Sequence, residues 1–341
     1  MIRALAIYSD NSGCDYHRVK LPFQYGGQYV DHAAFKPANG DLNKLLDISE
    51  LVLVNRDCPL PGVDLSAIKK KGVKVVLDLD DHWELNPGHY MTEYYRSQRV
   101  PEKISRNIRL ADVVTVTTSR LAEKVKPLNK NVHVIPNAIP YGHGQFKDRE
   151  YQPFEIFNVL YAGQKSHLHD LGLIGETMKR FAEENPLDLC FVLAGYQSGD
   201  KEWEGMEGVF TAGGKLKNYY RIPNAPLDKY MSVYEAADAV LVPLLNNSFN
   251  RHKSNLKLLE AAAQKIPVIC QRVPPYSDTS DAPVLWVESP GDWYRHIKYL
   301  SANREAAKEM GQSLHEWAVK YYNLITWNKT RFELYESIVN S

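Results

Sequence analysis

Two series of five short apolar runs, each unbroken and each closed by a polar turn, limit what this chain can fold into more than any other feature. The first series is IRALAIY (2–8), ELVLVNRD (50–57), VKVVLDLDD (73–81), ADVVTVTTS (111–119) and NVHVIPNA (131–138). The second is FNVLYAG (157–163), DLCFVLAG (188–195), ADAVLVPL (237–244), PVICQRV (267–273) and APVLWVES (282–289). A strand that faces water on one side alternates polar with apolar, whereas an unbroken run suits a strand covered on both faces. Helical stretches at 101–110, 120–126, about 170–184, 226–236 and 254–264 lie between the runs, which predicts parallel sheets with crossover helices. Between the series, YGHGQFKDREYQP (141–153) has Gly, Pro and charge without an apolar period and reads as a linker. The expected architecture is α/β with two doubly wound, Rossmann-like domains, 1–145 and 153–322, facing each other across a cleft, and a closing helix at 323–341. Ligands of such sheets bind outside the carboxyl ends of the strands, so function is sought in the loops there.

Composition narrows the class. With 341 residues, 44% hydrophobic and 24% charged, the chain is long enough for two cores and unlike a disordered or fibrous protein. Lys+Arg and Asp+Glu are equal at 41 each, which excludes a strongly basic nucleic-acid binder. Cys14, Cys58, Cys190 and Cys270 are far apart, so neither a disulfide framework nor a zinc site is expected. No run is long and apolar enough to span a bilayer and the N-terminus turns polar early; the expectation is a cytoplasmic protein without stable membrane insertion.

Several loops carry chemistry. In FNRHKSNLKLLEAAAQKIPVI (249–269), Lys253, Lys257 and Glu260 fall at i, i+4 and i+7, with Ser254 near the helix start. A helix N-terminus there suits a diphosphate, and a carboxylate one or two turns on suits ribose hydroxyls; a plain surface helix with a Lys–Glu pair is the competing reading. In VVLDLDDHWELNPGH (75–89), Asp78, Asp80, Asp81 and His82 sit just past an apolar strand. They suit work on an acceptor hydroxyl, a metal-binding Asp-x-Asp, a phosphatase nucleophile, or simple turn capping. The loop NSGCDYHR (11–18) offers Gly13, His17 and Arg18, with Asp15 equally suited to capping. His167 and His169, at i and i+2, point to different sides of a helix, so no metal site is assigned to them. From Arg96 to Lys130 nine basic residues face three acidic ones, and Arg99, Lys103 and Arg106 share a helix face beside Tyr90, Tyr94 and Tyr95. Arg96 extends that stripe only if the helix tolerates Pro101.

Taken in order, the loop with Gly13, VHVIPNAIP (132–140), VLYAGQKSHLHDL (159–171), EAADAVLVPL (235–244) and KLLEAAAQKIPVI (257–269) resemble the family 4 glycosyltransferases of the GT-B fold over nearly the whole chain. The resemblance implies that Glu260 is the second glutamate of that family's Glu-x7-Glu motif and holds the donor ribose. His252 stands where the first glutamate would be, a departure of the kind found in a divergent, bacteriophage-like branch; for a phage protein the compartment would be the host cytoplasm. The implied donor set is Gly13, Gly163, Lys165, Ser166, Arg251, Lys253, Ser254, Asn255 and Glu260. The catalytic candidates are Asp80, Asp81 and His82, and the acceptor candidates His17, Arg18, Arg99, Lys103 and Arg106.

The reading that follows is a metal-independent transferase with no cofactor. It moves a sugar from a nucleoside-diphosphate sugar, UDP-sugar favoured, to a hydroxyl of a glycan or small molecule. Modified DNA bearing 5-hydroxymethylpyrimidines is the alternative acceptor, with the basic stripe as its grip. A nucleotide-sugar 2-epimerase and a non-catalytic sugar-nucleotide binding protein stand as further alternatives. The closing helix offers Trp327, Leu334, Tyr335 and Ile338 as an apolar stripe for docking on the first domain.

Overall fold

The computed structural model describes residues 1–9, 12–35, 42–58, 64–86, 88–148, 154–279 and 281–341. The chain forms two compact units. The first comprises Met1–Pro140, Arg251–Ser254 and Tyr322–Ser341, and the second Tyr141–Asn250 and Asn255–Tyr321.

In the first unit six strands, β1 (Ile2–Ile7), β2 (Val30–Phe35), β3 (Leu51–Asn55), β4 (Lys74–Leu79), β5 (Val113–Val116) and β6 (Val132–Val134), pair in parallel in the order β2-β1-β3-β4-β5-β6. Four of the five runs seen in the sequence are its inner strands, β3 and β5 among them buried at every position, and the fifth is the edge strand β6, which is largely exposed. One face of the sheet packs Leu5, Val52, Val75 and Val114 against Ile104, Ile108 and Leu121. The other packs Ala4, Leu51 and Val76 against Phe332, Tyr335 and Ile338 of the closing helix, Leu324–Val339. That helix buries Leu324, Asn328, Arg331, Phe332, Tyr335 and Ile338, so the buried stripe includes two polar residues, while Trp327 and Leu334 lie at its margin.

In the second unit β7 (Phe157–Ala162), β8 (Leu189–Tyr196), β9 (Tyr219–Pro223), β10 (Ala239–Val242), β11 (Val268–Gln271) and β12 (Leu285–Val287) pair in parallel in the order β12-β11-β10-β7-β8-β9. Its core joins Phe157, Phe191, Leu241 and Ile269 to Phe181, Phe210 and Trp293. Strands β2 and β9 have no counterpart among the apolar runs. Both are sheet edges, and β9 is largely exposed, so neither needs the continuous apolar sequence of a strand covered on both faces.

The helices also depart from the periodicity. Thr92–Ser97 and Val100–Leu110 are separate, with Arg99 between them in the left-handed region at φ 52° and Pro101 in the first turn of the second. Proline removes a donor and clashes with the preceding turn, so Arg96 does not join the stripe of Lys103 and Arg106. The expected linker is not free of structure over its described part: Tyr141 and Phe146 are buried in the second unit. Gln145 Nε2 donates to Leu227 O (2.8 Å) and its Oε1 accepts from Met231 N–H (3.0 Å), while 149–153 lie outside the described residues. No helix among the described residues is long and apolar enough to cross a membrane.

Candidate functional site

In the first unit the carboxyl end of β4 is built on one buried ion pair. Both oxygens of Asp78 accept from the Arg18 guanidinium at 2.8 Å, through Nε and Nη2. Thr115 Oγ1 donates to the same carboxylate at 2.6 Å and Asn55 Nδ2 reaches it at 3.4 Å. Arg18 Nη1 donates to Asn137 Oδ1 (3.1 Å), and Asn137 Nδ2 donates to Ser254 Oγ (2.7 Å). This relay ties the first loop, β3, β4, β5 and the segment 251–254 together. It also corrects three expectations. Arg18 and His17 are buried rather than turned to an acceptor, with burial and Arg18 pushing His17 down to about 4 and keeping it neutral. Asp78 cannot begin a metal-binding or nucleophilic Asp-x-Asp, because its oxygens are already committed. Ser254 is bound to Asn137 in the first unit.

Beyond this base stand Asp80, Asp81 and His82. Asp80 lies 3.7 Å from Arg56 Nη1, and Arg56 Nη2 donates to Tyr95 Oη at 2.8 Å. Burial first and Asp81 second raise the Asp80 carboxyl above its ordinary range. Asp81 is 3.5 Å from Lys253 Nζ, and the His82 ring lies 4.9 Å from that of His252. His82 Nδ1 accepts the backbone N–H of Glu84 at 2.9 Å, which puts the ring proton on Nε2. Burial, then His252, lower its pKa, which favours the neutral ring. The sequence reading missed Arg56, and it took Tyr95 only as an aromatic surface and Cys14 only as an isolated thiol, which burial and then Asp80 raise here. Arg56 has a left-handed backbone, φ 55°, directly after β3. Its guanidinium is raised in pKa despite burial by Tyr95 and Asp80.

Asp15 joins the same group. Its Oδ2 accepts Ser9 N–H at 2.7 Å behind Gly13, the first residue of the turn that Ser12 caps. Burial chiefly, with Asp80 and Asp78 adding, pushes Asp15 up to about 7. A raised carboxyl makes the protonated form the stable one: that stability is complete below the ordinary value and is lost as the pH rises through about 7. Asp15→Asn, which cannot ionise, is therefore expected to be more stable than wild type by an amount that grows by about 2–3 kcal/mol between about pH 5 and about pH 8. Thermal unfolding at the two pH values checks this; an advantage that shrinks with pH contradicts it.

In the second unit the carboxyl ends of β7 and β8 are bare backbone. A Cβ on Gly195, at φ +103°, would meet Gly163 O at 2.5 Å, and one on Gly163 would meet the Tyr161 hydroxyl at 2.7 Å. Lys165 follows, its Nζ 2.7 Å from Asp200 Oδ2, with Ser166 half-buried beside it. His167 Nδ1 faces Asp170 Oδ2 at 2.7 Å; Asp170 Oδ1 accepts from Leu245 N–H and Asn250 Nδ2, which anchors the loop after β10. Among the described residues no group of three or more His, Cys, Asp or Glu is placed to hold a metal ion.

The helix after that loop is Leu256–Ala263. It starts three residues later than Lys253, so Lys253, Lys257 and Glu260 do not share a helix face. Lys257 Nζ donates to Ala162 O at the end of β7. Asn255 is buried at the helix start, its Nδ2 without a hydrogen-bond partner among the described residues. Glu260 is buried and its Oε2 accepts the Tyr234 hydroxyl at 2.6 Å. Burial raises its pKa, against the opposing pull of Lys257 and Tyr234. Of the donor candidates, then, the second unit holds Gly163, Lys165, Ser166, Asn255 and Glu260; Gly13, Arg251, Lys253 and Ser254 belong to the first. Among the acceptor candidates, Arg99, Lys103 and Arg106 are exposed, Arg106 donating to Ser66 Oγ at 2.8 Å.

Residues 176–329 match the family model described as glycosyl transferase-like. No curated protein matches the chain. Among solved structures it is similar to the sucrose-phosphate synthase of Thermosynechococcus elongatus, at 14% identity and TM-score 0.69, covering 99% of each chain. It is similar to HepE of Anabaena in complex with UDP-glucose, at 13% identity and TM-score 0.68, covering 99% of this chain and 100% of that one. A third is a UDP-forming α,α-trehalose-phosphate synthase from Burkholderia xenovorans, at 12% identity and TM-score 0.60, covering 88% and 75%. The structural likeness gives the chain the two-domain α/β fold of the GT-B class, and residues 176–329 are similar to glycosyl transferase-like proteins.

Proposed function

We propose that the chain transfers a sugar from a UDP-sugar, bound by the second unit, to a hydroxyl acceptor bound by the first, without a metal ion. The observation that carries this is Glu260. It is a buried carboxylate just inside the helix after β10, held by Tyr234, within the stretch that matches the glycosyl transferase-like family. A carboxylate so placed accepts hydrogen bonds from a vicinal diol, while the helix start at Asn255 and the bare backbone at Gly163 favour phosphate oxygens. Lys165 adds fixed positive charge for the leaving diphosphate, the role a metal plays elsewhere. UDP as the nucleotide is supported by the solved relatives, one holding UDP-glucose and one described as UDP-forming. In the first unit Asp80, raised by burial, takes the acceptor proton; His82 donates to an oxygen through Nε2–H.

The test is release of UDP or GDP from a panel of sugar nucleotides, with and without EDTA. Turnover that survives chelation supports the reading, and absence of both turnover and donor binding ends it; conversion of the donor with no acceptor present would mean an epimerase. Glu260→Ala is expected to lower kcat/KM for the donor about tenfold to a hundredfold with a smaller loss of stability. A wild-type profile would mean that the donor site is elsewhere.

One observation favours a second reading of the acceptor. Arg99 and Lys103 are exposed in the first unit, as are Tyr90 (43%) and Tyr94 (49%), a combination suited to a phosphodiester backbone and an unpaired base. Transfer of labelled sugar to 5-hydroxymethylpyrimidine DNA, and not to unmodified DNA, would establish it. No transfer and no salt-dependent DNA binding would leave a glycan or small molecule.

A further inference from the structure

We propose that Tyr234 is a positioning residue for the donor: its hydroxyl fixes the Glu260 carboxylate in the orientation that receives the ribose. The inference rests on the donor reading above and deepens it. Glu260 lies on the helix Leu256–Ala263, and Tyr234 lies on the 3-10 segment Leu227–Ala236, 26 residues earlier in sequence. Both side chains are buried, and their hydrogen bond is 2.6 Å. A glutamate carboxylate rotates freely about its last bond in water; one oxygen held by a buried phenol cannot turn, so the other is aimed. Tyr230 stacks edge-on against Tyr234 with ring centroids 5.9 Å apart and so supports the phenol from the same segment.

The arrangement also sets a pH dependence. The groups that face Glu260 are Tyr230 and Tyr234 from the 3-10 segment, Lys257 from its own helix and Tyr276 from the turn Tyr276–Asp278. The tyrosines stay protonated, since burial raises all three, which leaves the carboxyl as the group of this set whose charge decides the ribose contact. Burial favours its neutral form, and the Tyr234 hydrogen bond and Lys257 favour the charged form that a ribose diol needs. Removing the Tyr234 hydroxyl leaves burial less opposed. The carboxyl then gains its proton at a higher pH, and donor affinity is lost sooner as the pH falls.

The probe is UDP-glucose, whose diester diphosphate does not titrate between about pH 6 and about pH 8. Its binding is measured calorimetrically without acceptor on the full chain. Tyr234→Phe is expected to bind it about tenfold more weakly at about pH 6 and by a smaller factor at about pH 8, with kcat at saturating donor little changed. Adding Glu260→Gln should remove that pH dependence, because the amide does not titrate. Tyr234→Phe that binds like wild type at both pH values, or that is weakened equally at both, overturns the proposal. Should Tyr234→Phe fail to fold, Glu260→Gln alone decides: affinity must fall with decreasing pH in wild type and not in the amide variant, and parallel pH profiles overturn it. Wild type that binds neither UDP-glucose nor UDP sinks the donor reading itself, an outcome distinct from a normal wild type with an unaffected variant.

Discussion

Asp80→Asn is expected to lower kcat by about 10²–10⁴-fold while leaving the donor KM close to wild type, the range for loss of a positioned general base. The reasoning starts from the geometry at the end of β4. Of the three side chains there, His82 has its Nδ1 occupied by Glu84 N–H and is kept neutral, and Asp81 stands 3.5 Å from Lys253. Burial first and Asp81 second raise the Asp80 carboxyl above its ordinary range, which makes it a stronger proton acceptor than a free carboxylate. Asn has the same shape and cannot accept the proton. Folding should be little affected, because Arg56 keeps its bond to Tyr95. His82→Gln, which retains a donor but not the ring, should cost only about tenfold. Steady-state kinetics on the two variants checks the assignment. Equal losses, or a larger loss for His82→Gln, would move the base away from Asp80.

Arg18→Met should destabilise the first unit by about 3–5 kcal/mol, the cost of leaving one member of a buried ion pair without its partner. Both side chains are essentially inaccessible, 0% for Arg18 and 1% for Asp78. Without the guanidinium, Asp78 retains, among the described residues, Thr115 and Asn55 as hydrogen-bond donors and faces the cost of a buried charge. Arg331 offsets part of this, since it is buried nearby and its own pKa, pushed down to about 10 by burial, is held up by Tyr335 and Asp78. Arg18→Met combined with Asp78→Asn should recover most of the loss, because a matched neutral pair leaves no bare charge. Urea unfolding of the single and double variants, with the two units followed separately, gives the answer. A single-variant loss under about 1 kcal/mol would mean that water reaches Asp78.

How far the sequence could be read depended on the kind of signal. The inner strands were legible because burial on both faces leaves an unbroken apolar run, as in LVLVN and AVLV. Of the edge strands, YYRIP was not, since it is free to be polar where it is exposed, whereas β6 and β12 still carried apolar runs. The helix that carries Glu260 was legible because an apolar period after an apolar strand is a local signal. The partner of Glu260, Tyr234, was not, because nothing in the sequence brings two side chains 26 residues apart into hydrogen-bond contact.

The sequence by itself determined the class of fold, two parallel α/β units, and which loops follow the inner strands, because both follow from short-range hydrophobic pattern. Only the tertiary structure decided which charges are available. Asp78 and Asp80 look alike two residues apart in VVLDLDD. Yet one is locked by Arg18, 60 residues away, and the other stands 3.7 Å from Arg56 with its carboxyl raised by burial and by Asp81. Likewise Lys253 and Glu260, seven residues apart, fall in different units, the first beside Asp81 and the second beside Tyr234. The physical reason is that desolvation and ion pairing depend on what packs around a group in space, and neither distance along the chain nor residue type carries that information.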